Sequence, residues 1–149
     1  MEGCVFCGIA RGDIPSVRIW EDEDYIAILD IYPNTRGQSL VIPRKHVQSY
    51  IFDLGQEGMN GIMAAAKKVS KLLEKGLGVK RVNLVFEGLE IDHLHAKLYP
   101  AHGLREKFES IHSTEMVSFG KYPGYVSTLH GPKAEWEELV SVAGAIKEK

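Results

Sequence analysis

The chain has 149 residues, of which 44% are hydrophobic and 26% are charged, and its net charge is −2 at neutral pH. These values are ordinary for one globular domain and exclude the collagen-like, disulfide-rich and intrinsically disordered classes. Basic residues are spread evenly along the chain, so we expect no nucleic-acid partner. No apolar run is long enough to span a bilayer, and the first residues lack the pattern of a signal peptide. We therefore expect a cytoplasmic protein with no membrane partner.

The hydrophobic pattern predicts an α+β fold with a largely antiparallel sheet of about five strands. The strands are expected at residues 17–21, 25–30, 39–42, 82–86 and 91–99. One long helix is expected over 54–75, where apolar residues recur at three- and four-residue steps along one face. A C-terminal helix is expected to begin near Pro132, after a stretch, 101–131, that has no readable period.

Cys4 and Cys7 are the two cysteines of the chain and form a C-x-x-C motif. In a reducing compartment, such a pair is more often a metal or redox site than a disulfide. A redox dithiol is expected at the start of a helix in a βαβ unit, which the residues after Cys7 do not resemble. Two incidental thiols and one half of a zinc site are the other interpretations.

The sharpest pattern lies in the last predicted strand. Side chains of a strand alternate between its two faces, so His93, His95, Lys97 and Tyr99 share one face, and the apolar residues between them share the other. One interpretation is an edge strand with a solvated polar face. The other is a reactive site, because a neutral imidazole is a good nucleophile near pH 7.

Residues 93–100, which read His-x-His-x-Lys-Leu-Tyr-Pro, resemble the motif of the histidine triad (HIT) superfamily, with Lys97 in place of the third histidine. Two upstream segments, 4–22 and 25–46, resemble further motifs of that family in the same order. The resemblance implies a HIT-like fold, in which the sheet is accompanied by one long helix and a C-terminal helix.

The resemblance also implies the domain organisation. A single HIT domain would cover residues 1–149, with the core motifs in 4–100 and a variable C-terminal segment in 101–149. Small members of the superfamily are usually homodimers, so we expect a homodimer with the long helix and a central strand at its interface.

In this family the middle histidine of the triad is the nucleophile, which implies His95 here. His95 would attack the α-phosphorus of a purine nucleotide or nucleotide conjugate and form a covalent nucleotidyl-histidine, with Lys97 beside it in the catalytic site. The implied nucleotide-binding residues are Asp30 for the ribose, Ile31 for the base, and Asn83, Gly88 and Glu90 for the phosphates.

The resemblance further implies a structural zinc ion. In zinc-containing members, the two cysteines are joined by the histidine after the Pro-basic-basic turn and by the first histidine of the triad. The implied ligands are therefore Cys4, Cys7, His46 and His93, a closed Cys2His2 set. Such a site would fix the N-terminal segment against the segment that carries His95.

Four positions depart from the family pattern, namely Lys97, Leu89, Glu90 and Gln38. A lysine can offer positive charge to a phosphate, but a protonated lysine is a poor proton shuttle. A carboxylate at Glu90 would repel a phosphate unless an ion pair with Lys97 offset its charge.

Three functions are compatible with this pattern. The first is hydrolysis of nucleoside phosphoramidates or of (di)nucleoside polyphosphates through His95. The second is a nucleotidyltransferase or phosphorylase of the same superfamily, which Lys97 favours somewhat, because relatives that lack the third histidine transfer the nucleotide. The third is a nucleotide-binding zinc module with little catalysis.

Overall fold

The computed structural model describes residues 3–147, and the chain divides after Phe108 into two compact units. The helices of the first unit are α1 (Val5–Arg11), a short 3-10 turn (Ile51–Asp53) and α2 (Gln56–Leu77). Its strands are β1 (Arg18–Glu21), β2 (Tyr25–Leu29), β3 (Ser39–Pro43), β4 (Val82–Val85) and β5 (Ala96–Pro100). The second unit contains α3 (Trp136–Lys147).

The five strands form one sheet in the order β1-β2-β3-β5-β4, and every neighbouring pair is antiparallel. The α+β class and the five-stranded antiparallel sheet are therefore confirmed. The strand β5 lies between β3 and β4, so that Lys97 is opposite Leu40 on one side and Val85 on the other.

The last strand begins at Ala96, so the prediction that it begins at residue 91 is wrong. The amide N–H of His93 donates to the Ile91 carbonyl (2.8 Å) and turns the chain before the strand begins. The amide N–H of Leu94 then donates to the Val47 carbonyl (2.8 Å), which ties this segment to the residues after β3.

The helices also differ in detail from the prediction. α2 runs two residues beyond the expected end, and it stops where Gly78 adopts a φ of 67°, a left-handed conformation that favours glycine. The C-terminal helix begins at Trp136, four residues after Pro132. The sequence pattern did not predict α1, whose seven residues are too few to establish a helical period.

Two apolar clusters fill the opposite faces of the sheet. One contains the residues that pack with α2, namely Ala27, Val41, Ile62, Ala65, Ala66, Val69, Leu73, Leu94, Ala96 and Leu98. The other contains residues that pack with α1, namely Phe6, Ile9, Ala10, Ile26, Ile28, Leu40 and Ile42. Because Leu94, Ala96 and Leu98 all face α2, His95 and Lys97 face the opposite side of the sheet.

Apart from α3, the described part of the second unit contains one isolated β-bridge. A parallel bridge pairs Met116 with His130, and the Val117 amide donates to the His130 carbonyl (2.9 Å). None of the described residues of α3 is buried. No helix among residues 3–147 has the length and apolarity required to cross a membrane.

Candidate functional site

Four side chains from distant parts of the sequence meet at the N-terminus of α1. Cys4 precedes the helix and Cys7 lies in its first turn, His46 follows β3, and His93 precedes β5. One ligand atom from each of the four lies within 4.8 Å of all the others. The C-x-x-C is thus at a helix start, as in a redox dithiol, but both sulfurs contact histidine rings.

Three of the distances between these donors match the spacing around a tetrahedral ion. The Cys4 Sγ is 3.3 Å from Nδ1 of His93, and the Cys7 Sγ is 3.4 Å from Nδ1 of His46 and 3.5 Å from Nδ1 of His93. A zinc ion bound about 2.3 Å from sulfur and about 2.0 Å from nitrogen would separate such atoms by about 3.5 Å. The cluster can therefore hold a metal ion.

The surroundings of the cluster favour the metal-binding form of His93. Nε2 of His93 lies 2.9 Å from the Pro43 carbonyl, which can only accept, so Nε2 carries the proton and Nδ1 keeps its lone pair for the sulfurs. Burial lowers the pKa of His93, which keeps its ring neutral. Burial, followed by the neighbouring Cys4 thiol, raises the pKa of Cys7. The Cys7 thiol thus ionises more readily with a cation beside it.

His95 is buried, with 6% of its surface exposed, and its tautomer is fixed by the backbone. Nδ1 lies 2.7 Å from the carbonyl oxygen of His93, so Nδ1 donates and the lone pair of the neutral ring is on Nε2. The ring of Phe6 packs edge-on against it, with 5.1 Å between centroids. Burial lowers the pKa of His95, so its ring is held in the nucleophilic, neutral form.

Lys97 forms an ion pair with Glu87, with 2.7 Å between Nζ and Oε2 and side chains that are 20% and 13% exposed. Burial alone would lower the pKa of Lys97, but the hydrogen bond and charge of Glu87 outweigh it and raise that pKa overall. The ion pair between Lys97 and Glu90 that the sequence left open is therefore not formed; Lys97 pairs with Glu87 instead. Val85 is opposite Lys97, so Glu87, two residues further, returns to the same side, whereas Glu90 lies in an exposed loop.

Asp30 follows β2, and both oxygens of its carboxylate are held. Oδ2 accepts from Nε2 of Gln38 (2.6 Å), and Oδ1 accepts from the amide N–H of Tyr32 (2.8 Å). The Gln38 side chain is buried, and its Oε1 accepts from the Asn34 amide (2.8 Å). The buried amide of Gln38 therefore orients the Asp30 carboxylate.

The other residues predicted to contact a nucleotide lie in β4 and in the loops that follow β2 and β4. Asn83 is exposed and lies opposite Tyr99 in the β4–β5 pair. Gly88 packs so closely on Ser49 that a Cβ would lie 2.5 Å from the serine Cβ. Glu90 is exposed, and Ile31 is 80% exposed, so neither lies in a closed pocket of this chain.

The structure thus places several polar side chains near His95, on the face of the sheet opposite α2. The negative charges of Glu87 and Asp30 and the positive charge of Lys97 all act on His95. Glu87 was not among the residues predicted from the sequence, and Gln38 was noted only as a departure. Alternation beyond Val85 is the signal that would have identified Glu87.

Comparison with known proteins agrees with this arrangement, because the HIT domain family matches residues 11–103. The chain belongs to the HIT domain family. The adenosine 5'-monophosphoramidase hnt1 of Schizosaccharomyces pombe is 35% identical over 98 residues, which cover 65% of this chain and 73% of that protein.

Two solved structures match nearly the whole chain. The SMU.412c protein of Streptococcus mutans UA159 superposes with a TM-score of 0.70 and 29% identity, covering 99% of this chain and 85% of the other. A Zn-bound histidine triad family protein from Mycobacterium smegmatis gives a TM-score of 0.61 and 26% identity, covering 99% and 98%. The HIT-like fold expected from the sequence is confirmed.

Proposed function

We propose that this HIT protein is a nucleotide hydrolase that passes a nucleotidyl group through His95. The observation that supports the proposal most directly is the bond from Nδ1 of His95 to the His93 carbonyl, which leaves the lone pair of Nε2 available. The similarity to a monophosphoramidase of S. pombe supports the same reaction class. The substrate class is then a nucleoside phosphoramidate or a (di)nucleoside polyphosphate.

The proposed reaction has two displacements at the α-phosphorus. In the first, Nε2 of His95 forms a bond to phosphorus while the bond to the leaving group breaks. In the second, water attacks the nucleotidyl-histidine and releases a nucleoside monophosphate. Splitting one substitution into two lowers the barrier of each, and a buried neutral histidine suits the first step.

The other residues of this face are proposed to bind the nucleotide. Asp30, oriented by Gln38, would accept hydrogen bonds from ribose hydroxyls, and Ile31 would contact a purine base. Asn83 and the backbone around Gly88 and Glu90 would donate to phosphate oxygens, as fixed donors do in phosphoryl transfer. Lys97, in the proposed third position of the triad, would place a cation beside His95.

A zinc ion is proposed as the structural cofactor, held by the two sulfurs of Cys4 and Cys7 and by Nδ1 of His46 and His93. When bound, zinc would keep both thiols ionised and close a four-ligand site. The chain's own role is to join α1 to the segment that precedes β5. That connection would hold α1 against the segment that contains the His93 carbonyl, which accepts the hydrogen bond from Nδ1 of His95.

Transfer of the nucleotidyl group to phosphate is the second candidate. The positive charge of Lys97, held in place by Glu87, favours this transfer, because a fixed positive charge can hold an anionic acceptor. A nucleotide-binding zinc module with little catalysis is the third possibility. Formation of nucleoside diphosphate in phosphate buffer would distinguish transfer from hydrolysis.

The homodimer also stays a proposal. β4 is an edge strand of the sheet, and α2 exposes Met63 and Leu72 on its outer surface, so both elements can join a second copy. Light scattering at micromolar concentration would give the mass of one chain if this were wrong. The single domain over residues 1–149 and the cytoplasmic location, without nucleic-acid or membrane partners, likewise stay predictions.

Trapping the covalent intermediate tests the proposed function. The protein is mixed with adenosine 5'-phosphoramidate or diadenosine triphosphate, quenched, digested and analysed by mass spectrometry. An adenylyl group on the peptide that contains His95 is expected, and His95→Asn should abolish both the adduct and turnover. The exposed His112→Asn is the matched control and should retain both. Nucleotide binding without adduct or turnover would contradict the hydrolase and transferase proposals together.

A further inference from the structure

The ion pair between Lys97 and Glu87 has a consequence for the choice of substrate. His95 and Lys97 face the same side of the sheet, because Leu94, Ala96 and Leu98 between and around them all pack against α2. Two residues along an extended chain separate their Cα atoms by about 6.6 Å. This separation suits an arrangement with His95 at the phosphorus and Lys97 at the leaving group. In the proposed reaction, Lys97 would lie beside the departing atom, where negative charge develops.

Lys97 can supply charge at that place, but it is a weak proton donor. An ordinary lysine is about four pK units less acidic than an imidazolium. The Glu87 carboxylate, 2.7 Å from Nζ, favours the protonated ammonium further. Both side chains are largely buried, so water competes little for this pair. A proton leaves such a group reluctantly, whereas its positive charge is permanent near neutral pH.

Leaving groups differ in what they need from this position. A phosphate group departs as a stable anion, so it needs positive charge and no proton. The amine of a phosphoramidate must receive a proton as its bond to phosphorus breaks, because an amide anion is far too basic to leave. General acid catalysis of that kind contributes about 10²- to 10⁴-fold to a rate.

We propose that the Lys97–Glu87 pair makes this site selective for nucleotides whose leaving group is a phosphate or polyphosphate, and poor with amine leaving groups. This inference rests on the proposed function and names its substrate class. Lys97 contacts the leaving group, and Glu87 is a positioning residue that holds the ammonium.

The bonds and charges balance without a proton donor. The lone pair of His95 Nε2 forms the bond to the α-phosphorus, and the phosphorus–oxygen bond of the leaving phosphate breaks. The departing oxygen keeps that electron pair, and its negative charge lies beside the Lys97 ammonium. Water then attacks phosphorus, the phosphorus–nitrogen bond breaks with its electrons returning to Nε2, and one proton of the water passes to solvent.

Steady-state kinetics with two adenosine substrates test the inference. Diadenosine triphosphate and adenosine 5'-phosphoramidate both yield AMP, so kcat/KM for each is measured in the same assay. The wild type is expected to favour the triphosphate. In Lys97→His, whose imidazolium can donate a proton, the ratio of the two values should move about 10²-fold or more toward the phosphoramidate. Lys107→His, at an exposed lysine, is the control and should leave the ratio unchanged.

Two further variants separate charge from structure. Lys97→Arg keeps a permanent cation that can still pair with Glu87, so it should keep the wild-type preference even if turnover falls. Lys97→Met should lose activity selectively with the triphosphate. Glu87→Gln should raise KM for the triphosphate without improving turnover of the phosphoramidate, which a loss of folding alone would not produce.

The outcomes distinguish this inference from the function on which it rests. Adduct formation at His95 together with an equal or higher kcat/KM for the phosphoramidate would overturn the leaving-group selectivity alone. An unchanged substrate ratio in folded Lys97→His would also overturn it. Absence of both adduct and turnover with both substrates would overturn the proposed function, and the selectivity with it.

Discussion

Gly88→Ala is expected to disrupt the segment that we propose binds the phosphates of the nucleotide. The new Cβ would lie 2.5 Å from the Cβ of Ser49 and 3.2 Å from its carbonyl oxygen, whereas ordinary contacts begin at 3.4 Å. One of the two segments must therefore move by about 0.9 Å, the difference between 3.4 and 2.5 Å. Overpacking of this kind costs about 1–3 kcal/mol of unfolding free energy. A displacement near 1 Å at a reacting centre can cost about 10²-fold in rate.

Urea denaturation and kcat/KM for diadenosine triphosphate measure the two effects separately. The double variant Ser49→Gly/Gly88→Ala removes the clashing Cβ and should recover part of both losses. Gly76→Ala is the matched control, because nothing lies within 4 Å of its new Cβ and alanine is favoured in a helix, so stability should rise slightly. The close approach of Gly88 to Ser49 would be refuted if Gly88→Ala kept kcat/KM within twofold of the wild type and its unfolding free energy within about 0.5 kcal/mol. That range is roughly the scatter of neutral surface substitutions.

Three other predictions follow from the site. Elemental analysis should find zinc in the wild type, and Cys7→Ser should lose it and melt at a lower temperature; equal metal in both would exclude the four-ligand site. Gln38→Ala frees the Asp30 carboxylate, so KM for an adenosine substrate should rise several-fold, while KM for its 2'-deoxy analogue should change less. Folding raises the pKa of Lys97, so the charged lysine stabilises the folded state. This contribution is complete below lysine's ordinary pKa of about 10.4 and disappears as pH rises through the raised value. The difference in unfolding free energy between wild type and Lys97→Met should therefore stay constant from neutral pH to about pH 9 and shrink above about pH 10.4; a difference that grew with pH would contradict the ion pair.

The sequence predicted those features that depend on local period or on a family motif. The strands alternate and α2 has a helical repeat, so the class and the sheet followed from residue order. The four possible metal ligands followed from the resemblance, because no local rule joins Cys4 and Cys7 to histidines far along the chain. Their convergence depends on where the chain passes after β3 and before β5, which the structure shows directly.

Other features depend on contacts that residue order does not encode. The strand that contains Lys97 begins late, because the backbone of His93 turns to bond with Ile91. The partner of Lys97 depends on the register between β4 and β5, which selects Glu87 although Glu90 is nearer to Lys97 in sequence. The role of Gln38 required its buried bond to Asp30, since a glutamine has no fixed partner in sequence.

The acceptor that orients His95 is a peptide carbonyl, not a side chain. Every amino acid at position 93 would bring the same oxygen, so no substitution at that position can delete this acceptor chemically; it can only be displaced. Saturation mutagenesis should find that substitutions at position 95 abolish turnover. At position 93, metal content should vary widely between substitutions while the tautomer of residue 95, read by ¹⁵N chemical shifts, changes little wherever the fold survives. The proposed metal binding through the side chain at position 93 and the tautomer of residue 95 would then change independently of each other.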